Sequence, residues 1–266
     1  MNEPSVFGGP EGTMPRDNIH HGGVEHRDLH NVYGMYQHMS TYNGLYQRSQ
    51  GRKRPFVLSR SFYAGSQRFG AIWTGDNFAE WGHLKASGPM LMSLGVVGYH
   101  FAGADVGGFF GNPSSELLVR WYQAGSMQPF FRGHAHIDTQ RREPWLFGET
   151  VTSQIRNVLR LRYSLLPVWY TAMEESSRTG VPPMRPMFLE FPDDENLLNV
   201  EDQWMVSSSL LFKPITTAGQ VSSQVIMPQS NVKLSVLYYV LYLSFRVFRF
   251  GTIISARILS TTLMDQ

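Results

Sequence analysis

Acidic, basic and aromatic side chains at the ends of short apolar runs carry the first chemical content in this sequence. Asp76 closes the run Ala71-Ile72-Trp73-Thr74-Gly75, beside an aromatic ring able to act as a platform for a sugar. Hydrolysis of a glycosidic bond needs two carboxyl groups flanking it, about 5–5.5 Å apart where configuration is retained. One of them must stay protonated near neutral pH, which burial beside apolar or acidic neighbours achieves. Asp76 reads equally as the cap of the helix that follows, because Asp is a favoured N-cap residue.

Asp105 lies in Gly103-Ala104-Asp105-Val106-Gly107-Gly108-Phe109, where glycines let the backbone approach a ligand closely. On local pattern alone a plain turn aspartate fits it better. Arg60 and His134 also stand at ends of apolar runs, placed to hydrogen-bond hydroxyls or a carboxylate, although most such residues in loops are structural. His20, His21, His26 and His30 raise the question of a metal, since His26 and His30 have helical i, i+4 spacing. The H-E-x-x-H pattern of a zinc site is missing, so polar loop and helix-end histidines are the expectation, with no metal and no cofactor. No G-x-S-x-G elbow, Walker loop or G-x-G-x-x-G turn occurs, which removes the commonest hydrolase, nucleotide and dinucleotide readings.

The elements that position these residues follow from periodicity. A helix is expected over Arg27 to Arg48, broken near Asn43-Gly44. Strands are expected at Pro55 to Leu58 and Ala71 to Trp73, then a helix from Phe78 to Leu94 and a strand from Gly95 to Phe101. Ser114-Ser115-Glu116 opens another helix with good capping chemistry. Pro129-Phe130-Phe131 predicts a strand ending at Arg132-Gly133-His134, and Ser153 to Ser177 a long helix interrupted at Pro167. Strand, polar tip and helix in repetition predict βα units around a parallel sheet, with the polar residues at the C-terminal strand ends. After Gly180, Met184 to Phe191, Met205-Val206 and Leu210 to Phe212 predict short strands of a β-sandwich.

Composition sets outer limits. The 266 residues are 42% hydrophobic and 17% charged, which fits a globular chain with a sizeable core. A formal net charge of +2 gives no electrostatic case for nucleic acid. Cysteine is absent, so there is neither a disulfide nor a thiolate metal site to place. Met1-Asn2-Glu3-Pro4-Ser5 lacks the basic stretch and apolar run of a signal peptide.

Several long segments, in order, together resemble glycoside hydrolase family 31. They include Met1 to Phe7, Glu25 to Asn31, Ser59 to Arg68, Trp73 to Asn77, Gly103 to Phe109, Val119 to Gln123, Pro129 to His136 and Arg142 to Trp145. The resemblance runs from Met1 to about Val232. It implies an α/β chain: the C-terminal half of a (β/α)8 TIM barrel over residues 1–180, followed by the start of a β-sandwich over 181–232. It also implies retaining hydrolysis of α-glucosidic bonds, with Asp76 as general acid/base. Arg60, Asp105 and His134 then hold the sugar, and Trp73 and Phe109 line its subsite. The group of the family it resembles most implies glucose trimming of N-linked glycans in the endoplasmic reticulum lumen, with a regulatory β subunit as partner and no role for nucleic acid or a membrane.

Two departures stand out. The family's nucleophile is the aspartate of a Trp-x-Asp-Met-Asn-Glu motif, and this sequence enters that motif at its Met. The residues as given therefore lack the attacking carboxylate, and the expectation is an inactive chain; the alternative is a non-catalytic fragment or weak sugar binder. Lys233 to Gln266 matches nothing in the family pattern and reads as a divergent apolar tail, with Leu234 to Phe245 too short to span a bilayer.

Overall fold

The computed structural model describes residues 2–9 and 12–229, with the backbone of 235–238 and 246–247. The chain divides into two compact units, Met1–Gly75 and Asp76–Gln266.

In the first unit, helix α1 (His26–Arg48) carries Asp28 in its first turn and Arg48 in its last, both complementing the helix dipole. It runs unbroken through Asn43-Gly44, contrary to expectation. One interior glycine costs about 1 kcal/mol relative to alanine, which a helix of 23 residues absorbs. Its buried face is His26, Gly34 and His38. Gly34 must be small, because a Cβ there would stand 2.3 Å from Ser61 Cβ. Strands β1 (Leu58–Ser59) and β2 (Ala71–Trp73) pair in parallel, Leu58 against Ala71. Asn2 lies alongside in the same sense: its N–H donates to Leu58 O at 2.8 Å, and its carbonyl accepts from Arg60 N–H at 2.8 Å.

In the second unit, α2 (Trp81–Val96) replaces the first residues of the strand expected from Gly95. Val96 and Val97 are exposed, so the apolar run there reflects no buried strand. Extended backbone comes later, as β3 (Ala102–Gly103) and β4 (Asp105–Val106). Helix α3 (Ser115–Gly125) starts as expected: Ser114 Oγ accepts from Leu117 N–H at 3.2 Å. Strand β5 (Arg132–Gly133) pairs in parallel with β4, slightly after the predicted run. Leu84, Ala104, Val106, Leu117, Trp121 and Ala124 form the core between these elements. The long helix is two, α4 (Gly148–Ser164) and α5 (Leu166–Thr179), with Pro167 in the first turn of α5 where its missing N–H costs nothing.

The same unit continues into a mixed sheet of β6 (Met184–Pro186), β7 (Trp204–Val206), β8 (Leu210–Lys213), β9 (Ser235–Tyr238) and β10 (Arg246–Val247). β6, β7 and β8 form an antiparallel meander, while β9 joins β8 in parallel. Only Met184–Pro186 of the expected Met184–Phe191 strand is extended; Met187–Glu190 turns into a short helix. That turn places Met187 and Phe191 in a core with Leu197, Met205 and Leu211. Trp204, almost fully buried, donates its indole N–H to Met127 O at 2.9 Å and so ties the sheet to the βα layer. Apart from the backbone of β9 and β10, the tail expected over 233–266 lies outside the described residues. Among those residues no helix is long and apolar enough to cross a membrane.

Arg162 of α4 is the main polar fastener of the βα layer. Its guanidinium donates to the carbonyls of Ser126 and Gln128 at 2.8 Å and of Pro129 at 3.0 Å, and stacks over Trp169 at 4.4 Å. These contacts fix the chain just before β5. Charge-assisted bonds to buried acceptors are among the costlier ones to delete. Urea unfolding of Arg162→Met should therefore show a loss of about 3–5 kcal/mol. The exposed Arg156→Met should stay within about 0.5 kcal/mol.

Candidate active site

The register of β4 on β5 sets Asp105 directly beside Arg132 and Val106 beside Gly133. In parallel strands, paired residues point to the same face, so the two side chains meet. Arg132 donates to Asp105 Oδ1 at 2.7 Å. Asp105 is 1% exposed, and its other oxygen, Oδ2, is buried with no hydrogen-bond partner among the described residues. Burial pushes the Asp105 carboxyl above its ordinary range, and the neighbouring Asp76 adds to that; Arg132 and His134 pull the other way. His134, two residues beyond Arg132, is driven below its ordinary value by burial and by Arg132, against the attraction of Asp105 and Asp76. Asp76, Asp105, Arg132 and His134 thus form one electrostatic cluster.

Asp76 is half-buried and four residues short of the N-cap of α2, which is Glu80. The capping alternative raised for it does not hold. The loop from Asp105 is held over this cluster by two side chains that sequence reasoning did not single out. Asn77 accepts from Phe109 N–H at 2.8 Å through Oδ1 and donates to Asp105 O at 3.2 Å. Arg142 donates to Gly107 O at 3.0 Å and to Gly111 O at 2.6 Å. Gly107 and Gly108 have φ of 96° and 83°, and a Cβ on Gly108 would fall 2.3 Å from Ala79 N, so no other residue fits that turn. The turn delivers Phe109 against His134, ring centroids 5.3 Å apart, with Phe110 and His136 stacked behind.

In the first unit, Arg60 follows β1 and its guanidinium sits over Trp73, 5.9 Å from the ring centroid. Arg60 also approaches Glu3 at 3.6 Å. Arg60 lines an open cleft of about 350 Å³ with Pro4, Val6, His26, His30 and Phe62. The histidines hydrogen-bond one another, His20 to His26 at 3.0 Å and His26 to His30 at 2.9 Å. Among the described residues no group of three His, Asp or Glu side chains is arranged to hold a metal.

The model of the glycosyl hydrolases family 31 TIM-barrel domain matches residues 1–172, and that of the family 31 C-terminal domain matches residues 180–243. The chain belongs to glycosyl hydrolase family 31. Its βα elements accordingly belong to a family 31 TIM-barrel domain, and its mixed sheet to the family's C-terminal domain. It is 62% identical over 228 residues to a probable glucan 1,3-alpha-glucosidase of Oryza sativa subsp. japonica, covering 86% of this chain and 25% of that protein. Human neutral alpha-glucosidase AB is 59% identical over 228 residues, covering 86% and 24%. In a solved ER glucosidase II complex of catalytic subunit and regulatory-subunit binding domain, the matching chain superposes with a TM-score of 0.83 at 56% identity, over 86% of this chain and 25% of that one. This family 31 chain spans about a quarter of the length of the relatives it matches.

Arg132 is the site residue most easily missed, although it stands two places from His134 in a run already marked as a strand end. Removing it leaves a buried carboxylate unpaired, so Arg132→Met should cost about 3–5 kcal/mol at neutral pH, and Asp105→Asn added to it should restore much of that. A carboxyl raised in the folded state contributes stability that is present below its unfolded value, 3.8, and is lost as pH rises through the folded value. Chemical denaturation from pH 4 upward should therefore show Arg132→Met losing stability over a window extending to higher pH than in the parent. The double variant should lack that slope.

Proposed function

We propose that the protein containing these residues is a retaining α-glucosidase, and that Asp76 is its general acid/base. The observation that carries the reading is the cluster itself: a half-buried carboxyl, Asp76, neighbouring a fully buried Asp105 whose Oδ2 has no hydrogen-bond partner among the described residues. A sugar ring offers hydroxyl donors, and Phe109, against His134 in the same unit, offers apolar surface for its C–H face. In this reading Asp105, His134 and Arg60 hold the glucosyl unit, while Trp73 and Phe109 line its subsite. Asp76 protonates the leaving oxygen and then activates water for the second step. The attacking carboxylate belongs to the aspartate that precedes Met-Asn-Glu in the family motif.

The substrate is a glucosylated N-glycan, the compartment the endoplasmic reticulum lumen, and the partner the regulatory β subunit of glucosidase II. This rests on the likeness to the catalytic chain of a glucosidase II complex and to glucan 1,3-alpha-glucosidase. No metal or cofactor enters the mechanism.

The protein bearing the Trp-x-Asp segment should release α-configured glucose, seen by NMR before mutarotation. Asp76→Asn should slow hydrolysis of an α-linked disaccharide by about 10²–10⁴-fold. Cleavage of an aryl α-glucoside whose phenolate leaves without a proton should suffer far less in its first step. Undiminished turnover of the disaccharide, or β-configured product, sinks the assignment.

A further inference from the structure

At the other end of β1 from Arg60, the first unit carries a feature that glycoside chemistry does not use. Between Asp28 and Asp76 the sequence contains no acidic residue. Within that stretch, Arg48, Arg52, Lys53 and Arg54 converge on one open cleft of about 710 Å³, whose floor is Leu45, Pro55 and Phe56. All four cations are exposed, and Phe56 is 58% exposed. Among the described residues none of the four has a carboxylate partner; Arg52 spends one N–H on Ser49 O at 3.3 Å.

The backbone bearing them is built rather than loose. Gly51 N–H donates to Tyr46 O at 3.0 Å, Gln50 N–H to Gln47 O at 2.9 Å and Ser49 Oγ to Tyr46 O at 2.9 Å. Gln50 and Gly51 hold φ of 54° and 71°, consecutive left-handed residues that turn the chain sharply. The negative end of the α1 dipole accounts for Arg48, but that field fades within the last turn, and Arg52, Lys53 and Arg54 lie beyond it. Like charges crowded at a cleft mouth repel and favour an anion there.

We propose that this cleft is a docking site for an acidic polypeptide segment carrying an apolar side chain. Arginine forks match carboxylates bidentately, and Leu45, Pro55 and Phe56 give the apolar side chain a seat. A nucleic acid fits less well, because the cations sit on a single turn rather than along a track, with one exposed aromatic in the lining. The site is separate from the sugar-binding residues and does not depend on their assignment.

The test is fluorescence anisotropy of the full chain with a labelled decapeptide of glutamates around a single Phe, at about 50 mM and about 300 mM salt. Binding should weaken with salt, as screening requires. Arg52→Glu/Arg54→Glu should lower affinity at least about ten-fold, Arg52→Gln/Arg54→Gln by less, and Phe56→Ala several-fold. All these positions are exposed, and an unchanged melting profile confirms that the variants fold. A decapeptide with Gln in place of Glu should not bind. The proposal is overturned if the acidic peptide fails to bind or ignores the charge reversal. It is also overturned if a sulfated hexasaccharide binds as tightly with no effect of Phe56→Ala, since that describes a general polyanion patch.

Discussion

The buried pair of Asp105 and Arg132 is the constraint around which the second unit is arranged. Each partner is on a strand of only two residues, and each is fixed by the register of those strands. A carboxylate this deep is tolerable only with a cation on one oxygen, and the described residues supply one cation and no second donor. One carboxylate oxygen is thus paired and the other left without a partner among the described residues. Burial raises the Asp105 carboxyl and lowers His134, while Arg132 acts on both.

Such short strands cannot hold a site by ladder hydrogen bonds alone. The positioning comes instead from side chains that bind loop carbonyls and amides. Arg142 gathers Gly107, Gly108 and Gly111, Asn77 clamps Phe109, and Arg162 gathers Ser126, Gln128 and Pro129 ahead of β5. Two arginines and an amide thus do for the strand-end loops what longer strands do elsewhere. Fixed carbonyls also explain why the intervening glycines adopt backbone conformations closed to other residues.

Much of this was legible in the residues. Capping at Ser114, the interruption of the long helix at Pro167, and the placing of Asp105 and His134 near strand ends all follow from local chemistry and order. The misplacements have physical causes. Gly95-Val96-Val97 has a strand's composition but closes a helix on the surface, because propensity without burial decides little. Gly44 failed to break α1 because the helix around it is long. Met187 to Glu190 turned helical: a strand would set Leu189 on the same face as Met187 and Phe191, whereas those two reach the core and Leu189 stays exposed. Arg132 and Asn77 were hidden for another reason: their importance lies in distant partners, Asp105 across the strand pair and the backbone of Asp105 and Phe109, which the sequence alone does not show.

The two ends of β1 have opposite electrostatic logic, and the difference bears on what each end does. Arg60, beyond the strand, has Glu3 and the Trp73 ring beside it, so its charge is already partly committed. The cations before the strand have no such commitment among the described residues. A cation that orients a neutral sugar gains from being held in place, since its task is geometric and its hydrogen bonds must be directed. A cation that recruits an anionic chain gains from being unpaired, since long-range attraction is what it contributes. On the two proposed roles the same residue type would serve two ends of one strand in two ways, and the distribution of carboxylates along the sequence, more than that of arginines, separates them.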